Sequence, residues 1–128
     1  MKESDFRRWI CQSLRQEGAD CQTVETSTGN GVPDVNVCWR GIEFWLELKC
    51  IPSTIPYIRA SQHAWSMRRN QAGGLVFLVI YNTKRREIHL WDMPISNTSP
   101  LRGSMLKVNE LSKRWCPKKD FNIKFILE

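Results

Sequence analysis

No Cys-x-x-Cys pair occurs in this chain of 128 residues. Its five cysteines, Cys11, Cys21, Cys38, Cys50 and Cys116, are odd in number and widely spaced, and His63 and His89 are not placed to complete a metal set. A zinc site wants ligands paired two to four residues apart, so no zinc is expected. The thiols read as reduced, in a cytoplasmic protein. No hydrophobic run approaches the roughly 18 to 20 residues of a membrane span, so no membrane partner is expected. The longest run, Leu75 to Tyr81, reads as a buried strand. Met1-Lys2-Glu3-Ser4-Asp5 leads straight into a polar helical pattern, without the apolar stretch of a signal peptide. There are no repeats and no low-complexity segments. The length suits one compact domain, and 41% hydrophobic with 25% charged residues is enough for a core that needs no disulfides.

The net charge of +6 is unevenly placed. Residues 1–58 carry six Lys or Arg against eight Asp or Glu, a net of −2, whereas residues 59–128 carry thirteen against five, a net of +8. Basic clusters stand at Arg68-Arg69, Lys84-Arg85-Arg86, Lys113-Arg114 and Lys118-Lys119. A basic surface attracts polyanions, and phosphate contacts supply most sequence-independent affinity for nucleic acid. A solvated basic face without a partner has the same composition.

Phe6, Trp9, Ile10 and Leu14 recur at helical spacing, which predicts a helix over 4–17 capped by Gly18. A short strand is expected over 22–26, then a flexible loop from Ser27 to Gly31. Residues 34–39 and 42–49 alternate apolar and polar across Arg40-Gly41, the pattern of a β-hairpin. Pro52 and Pro56 break regular structure. A helix is expected over 61–72 with Ser61 as N-cap and Gly73-Gly74 ending it, then strands over 75–81 and 87–91. Residues 92–104 read as a loop, 106–115 as a short segment and 121–127 as a last strand. The class is mixed α/β, with a core over about 1–91 and an extension over about 92–128 in a single domain.

The hairpin carries the chemistry. A two-residue turn at Arg40-Gly41 sets Trp39 against Ile42, Val37 against Phe44 and Val35 against Leu46, all apolar pairs on one face. The same register sets Asp34 against Glu47. Directly opposed residues have Cβ atoms about 4.5 to 5.5 Å apart, and two carboxylates that close repel unless a cation lies between them. Mg²⁺ suits such a pair, because it takes one or two carboxylates and leaves its other positions to water and substrate phosphate. Lys49 lies two residues beyond Glu47 and shares its face, where an ammonium can hold a water or a phosphate. Two acids, one base and an implied metal suit phosphodiester hydrolysis. Glu-Leu-Lys on a strand is also a common solvated face.

Gly31-Val32-Pro33-Asp34, the twelve-residue gap, and Phe44-Trp45-Leu46-Glu47-Leu48-Lys49 together resemble the PD-(D/E)xK nucleases, most of all their virus-type replication-repair and Holliday-junction-resolvase branches. Gln62 after Ser61 resembles the glutamine that often follows the lysine. The resemblance covers residues 1–80 and leaves the tail beyond 92 unexplained. It implies a restriction-endonuclease-like fold, a central mixed sheet flanked by helices in the order α-β-β-β-α-β. It implies Mg²⁺ or Mn²⁺ on Asp34, Glu47 and the Leu48 carbonyl, with Lys49 orienting the attacking water. Some members add a glutamate from the first helix; Glu3 matches best, with Glu17 and Glu25 as weaker alternatives. Glu3 equally suits a helix N-terminus as a plain charge.

His63 reads as a helix-surface residue, and Trp45, on the Glu47 face, reads as packing or as a base-stacking ring. Arg59, Arg68, Arg69, Lys84, Arg85 and Arg86 read as phosphate contacts to DNA. With no recognition helix or zinc finger in sight, selection by DNA shape is expected over selection by base sequence. The leading expectation is a metal-dependent, structure-selective DNA endonuclease of recombination and repair. Branch resolution suits a homodimer, with Phe121, Ile123, Phe125 and Leu127 as one source of its surface. The competing expectations are a restriction-like nicking nuclease of a phage or mobile element, a catalytically silent or partner-dependent DNA-binding module, and an assembly protein with an incidental hairpin.

Overall fold

The computed structural model describes residues 1–25 and 30–128. Much of the loop expected from Ser27 to Gly31, and the Thr26 end of the strand expected before it, lie outside the described residues.

Two alternating segments build the centre. β2 (Val35–Trp39) and β3 (Ile42–Ile51) form an antiparallel hairpin with Val35 opposite Leu46, Val37 opposite Phe44 and Trp39 opposite Ile42. Arg40 (φ 50°) and Gly41 (φ 79°) both take the left-handed conformation, which matches the right-handed twist of the flanking strands. Arg40 is a poor residue for that conformation, and its guanidinium lies over the Trp39 ring, 4.4 Å from the centroid.

Around the hairpin grows a six-stranded sheet of order β1-β2-β3-β5-β6-β9, with β1 at Asp20–Thr23, β5 at Leu75–Asn82, β6 at Glu87–Met93 and β9 at Arg114–Pro117. β3 and β5 run parallel and the other pairs antiparallel, so the sheet is mixed. The parallel step needs a crossover, and α2 (Ala60–Gln71) supplies it. α1 (Glu3–Gln16) covers the opposite face, where Phe6, Ile10 and Leu14 meet Val35, Val37, Phe44, Leu46 and Leu48. A second core joins Val76, Leu78, Ile80 and Trp91 to Ile58, Val108 and the half-buried Trp65. Part of that core comes from a small antiparallel sheet of order β4-β8-β7, with β4 at Tyr57–Arg59, β7 at Thr98–Pro100 and β8 at Met105–Val108. The result is the expected mixed α+β fold with a central mixed sheet flanked by helices; β4 is interposed before α2.

Several local expectations need correction. The segment over 92–104 is not a plain loop, since β6 runs to Met93 and β7 follows. The single segment expected over 106–115 is two strands in different sheets. No strand covers 121–127; a 3₁₀ turn (Lys118–Asp120) leads into α3 (Ile123–Leu127). Alternation of Phe121, Ile123, Phe125 and Leu127 misled, because Ile123 and Ile126 are the buried pair, three residues apart on one helical face. Asn122 caps α3 by accepting the Lys124 N–H at 2.9 Å. Glu17 Oε2 accepts the Ile123 N–H at 2.9 Å, which assigns Glu17 to holding this helix.

A strand over 121–127 would turn Ile126 outward, whereas the helix leaves it 1% exposed. Ile126→Ala is therefore expected to lose about 2 to 5 kcal/mol in urea unfolding. A loss below about 0.5 kcal/mol, the range of surface positions, would contradict the helical packing.

Candidate active site

Strand β3 outlasts its partner. β2 begins at Val35, so beyond Leu46 the β2-side edge of β3 has no strand beside it. Asp34 occupies that edge, and its Oδ2 accepts the Leu48 N–H at 2.9 Å. The N–H and C=O of a strand residue point toward the same edge, so the Leu48 carbonyl leaves β3 on the side of Asp34. Leu46 and Leu48 bury themselves against α1, and the alternation of the strand turns Glu47 and Lys49 to the other face, under the start of α2. The loop bearing Asp34 is pressed against that helix. Gly31 (φ 83°) leaves no room for a side chain, since a Cβ there would overlap the Ser61 carbonyl.

Gln62 joins the helix to the strand. Its Oε1 accepts the Arg59 N–H at 2.9 Å, which satisfies a free donor at the helix start, and its Nε2 donates to Glu47 Oε2 at 2.7 Å. The expected cap, Ser61, lies one residue inside the helix; Arg59 is the N-cap position and Gln62 reaches back to it. Lys49 Nζ lies 3.7 Å from the same Glu47 oxygen. The other oxygen, Oε1, is buried and accepts no hydrogen bond, and the Asp34 carboxyl lies close enough to share a proton with Glu47. Glu47 is 3% exposed. Burial pushes its carboxyl up to about 8, the Asp34 charge adds to the rise, and the Lys49 ammonium partly offsets it.

An orphaned carboxylate oxygen beside a second carboxylate is the feature a cation would answer. The donors at hand, Asp34, Glu47 and the Leu48 carbonyl, are all hard oxygens, the set that suits Mg²⁺ or Mn²⁺. Among the described residues, no group of three His, Cys, Asp or Glu side chains stands close enough to hold a metal. Mg²⁺ tolerates such a sparse protein set because it keeps several waters.

Glu3 stands near the pair. Burial raises its carboxyl most, Lys49 opposes that, Asp34 adds to it, and Arg7 and the Cys50 N–H oppose it. A cleft of about 270 Å³ opens beside Asp34 and Gln62, lined also by Arg7, Glu25, Gly31, Val32, Ser61 and Arg59. Arg7 is not among the site residues expected from the sequence. Its spacing of four from Glu3 was the signal that both share a helical face. The other basic candidates do not gather here. Arg68 and Arg69 lie toward the far end of α2, where Arg69 sits over the Trp65 ring (4.5 Å) and near Trp45 (5.7 Å). Trp45 packs edge-on against Trp65. Lys84, Arg85 and Arg86 form the β5–β6 turn, and the last two share a cleft of about 580 Å³ with Lys118 and Lys119. His63 Nε2 meets the Ile95 carbonyl at 3.0 Å and anchors α2 to the loop after β6.

Two outcomes are expected from this geometry. The native state holds a proton on Glu47 up to about pH 8, while the unfolded chain releases it near 4.5. The native state therefore binds more protons in that window, and its stability falls as pH rises through it. Melting temperature in EDTA is expected to drop between about pH 5 and pH 8, with the slope reduced in Glu47→Gln; a rise over that range in the parent would contradict the burial of Glu47. Gly31→Ala meets both an unfavourable φ and the Ser61 backbone, and is expected to cost more than about 1 kcal/mol in chemical denaturation. A neutral result would show that the Asp34 loop does not rest on α2.

No family model matches the sequence, and no curated protein matches it. Among solved structures the chain is similar to that of Hjc of Archaeoglobus fulgidus, a Holliday junction resolvase from an archaeal hyperthermophile, with a TM-score of 0.62 and 14% identity over 84% of each chain. At that identity the likeness is one of fold: the mixed sheet with its flanking helices is the architecture of that resolvase.

Proposed function

We propose that this chain is a divalent-metal-dependent endodeoxyribonuclease that hydrolyses DNA phosphodiester bonds and selects branched DNA, the four-way junction above all. The observation that carries the reading is Glu47 Oε1, a buried carboxylate oxygen without a partner, set beside Asp34 at the end of a hairpin. Neither a silent module nor an assembly protein has a use for so costly an arrangement. The fold shared with a Holliday junction resolvase supports the choice of substrate class.

In this reading Asp34, Glu47 and the Leu48 carbonyl would hold Mg²⁺ or Mn²⁺. When bound, the metal supplies Lewis acidity and lowers the pKa of a coordinated water. Lys49 orients the attacking water and balances charge on the scissile phosphate. Gln62, by holding Glu47 Oε2, keeps Oε1 turned toward the site. The water oxygen forms a bond to phosphorus, its proton passes to solvent, and the bond from phosphorus to the leaving sugar oxygen breaks as that oxygen takes a proton. Glu3 adds a third negative group to the outer part of the site. Arg59, together with Arg7 in the same cleft, takes the backbone phosphates nearest the break. Arg68, Arg69, Lys84, Arg85 and Arg86 contact phosphates further along the DNA, giving affinity without base readout. Two copies related by a twofold axis suit a junction, which offers two equivalent strands.

The test is cleavage of a labelled four-way junction beside a matched linear duplex, in Mg²⁺ and in EDTA. Cutting is expected only with metal, with preference for the junction, and with a loss of roughly 10²- to 10⁴-fold in Lys49→Ala. Cutting that survives EDTA or Lys49→Ala would overturn the mechanism. Tight DNA binding with no cutting in Mg²⁺ would turn the reading to a binding module.

A further inference from the structure

We propose that the outer face of the small sheet is a platform for an unpaired stretch of the DNA strand entering the cleft. This rests on the nuclease reading and extends it to residues 98–108, which the family resemblance left without a role. Alternation sorts the three strands of this sheet. Ile58, Leu106 and Val108 turn inward to the second core, with Ile58 and Val108 buried. Tyr57, Arg59, Met105, Lys107 and Ser99 therefore share the outer face. On it Tyr57 stands directly opposite Lys107, and Lys107 opposite Ser99. Arg59 pairs with Met105, so Arg59 and Lys107 are diagonal neighbours, about 7 to 8 Å apart in backbone position.

This face is continuous with the candidate active site. Arg59 ends β4 and also lines the cleft with Asp34 and Gln62. The turn between β7 and β8, which carries Arg102, is tied to the start of α2 because Ser104 accepts the Ala60 N–H through its carbonyl at 2.7 Å. The chain holds no Asp or Glu from Leu48 to Arg86, nor from Met93 to Asn109. Every charged side chain contributed by the small sheet and its β7–β8 turn is thus a cation: Arg59, Arg102 and Lys107. Tyr57 stands 42% exposed among them. Cations interleaved with an exposed aromatic ring suit a single strand, with phosphates on the cations and a base on the ring. A protein interface has no need of an acid-free stretch of this length. The basic cleft of Arg85, Arg86, Lys118 and Lys119 is less well placed: Lys118 lies over the Trp9 ring of α1, on the opposite face of the main sheet from the small sheet.

The experiment is fluorescence anisotropy with three labelled probes, a four-way junction, a single strand and a duplex, in Ca²⁺ over a range of salt. Lys107→Glu is expected to weaken binding on the order of tenfold and to lower the salt slope by about one. Lys107→Gln, which keeps the aliphatic stem, gives a smaller loss, and Lys124→Glu on the exposed side of α3 changes affinity less than about twofold. Tyr57→Ala weakens the single strand and the junction more than the duplex, and Tyr57→Phe restores them. Full-strength DNA binding by both Lys107 variants would overturn the platform and leave the nuclease reading standing. An equal loss on all three probes in Tyr57→Ala would overturn the stacking role. A parent protein that binds none of the probes would overturn both the platform and the nuclease reading.

Discussion

A carboxylate that is 3% exposed, on a strand in the middle of a six-stranded sheet, carries a large desolvation cost. Burial alone pushes Glu47 toward its neutral form, and Asp34 pushes it further. The surrounding structure holds it there all the same. Leu46 and Leu48 on either side lock the strand to α1, so Glu47 cannot turn out to solvent without losing two buried leucines. Gln62 and Lys49 occupy one oxygen and leave the other free. Gly31 brings the Asp34 loop against α2, which fixes the second carboxylate beside the first. The arrangement costs free energy, and under the proposed function a divalent cation would be the partner that offsets it.

The hairpin was legible because two independent constraints coincide in it. Alternation fixed which residues face the core, and the two-residue turn fixed the pairing; a slip of one residue would have turned Val35, Val37, Phe44 and Leu46 to solvent. Asp34 and Glu47 came together as a consequence. Helix α1 was equally plain, since Phe6, Ile10 and Leu14 are separated by one turn. The tail was not legible. Its strands are three or four residues long, too short for a period to emerge, and β8 and β9 pair also with β4 and β6, which are distant in sequence. In 121–127 apolar residues occur so densely that periods of 2 and 3.6 both fit. Asn122, a good cap residue, was the signal that favoured the helix.

The site was only partly readable for a similar reason. Asp34, Glu47 and Lys49 lie on one local unit, whereas Glu3 and Arg7 arrive from α1, and Arg59 and Gln62 from the crossover to β5. Those placements depend on how α1 and α2 sit on the two faces of the sheet, and composition does not encode that. The charge asymmetry of the sequence now has a geometric form. Asp34 and Glu47, with Glu3 near them, meet at the edge of β3, and bases of the second half gather in separate places, Arg59 beside Asp34, Arg68 and Arg69 on α2, and Arg85 and Arg86 with Lys118 and Lys119. Under the proposed function a surface of that kind would grip phosphates over an extended path and read shape in preference to sequence.

Under the proposed function Glu47 and Asp34 would jointly hold a divalent cation through the Glu47 Oε1 oxygen. Anomalous diffraction from crystals grown with Mn²⁺ tests it most directly. The account predicts a peak bonded to Glu47 Oε1, to Asp34 and to the Leu48 carbonyl, and lost in Glu47→Gln. A crystal saturated with Mn²⁺ that shows no peak there, with Glu47 still buried and Oε1 still without a partner, would contradict it.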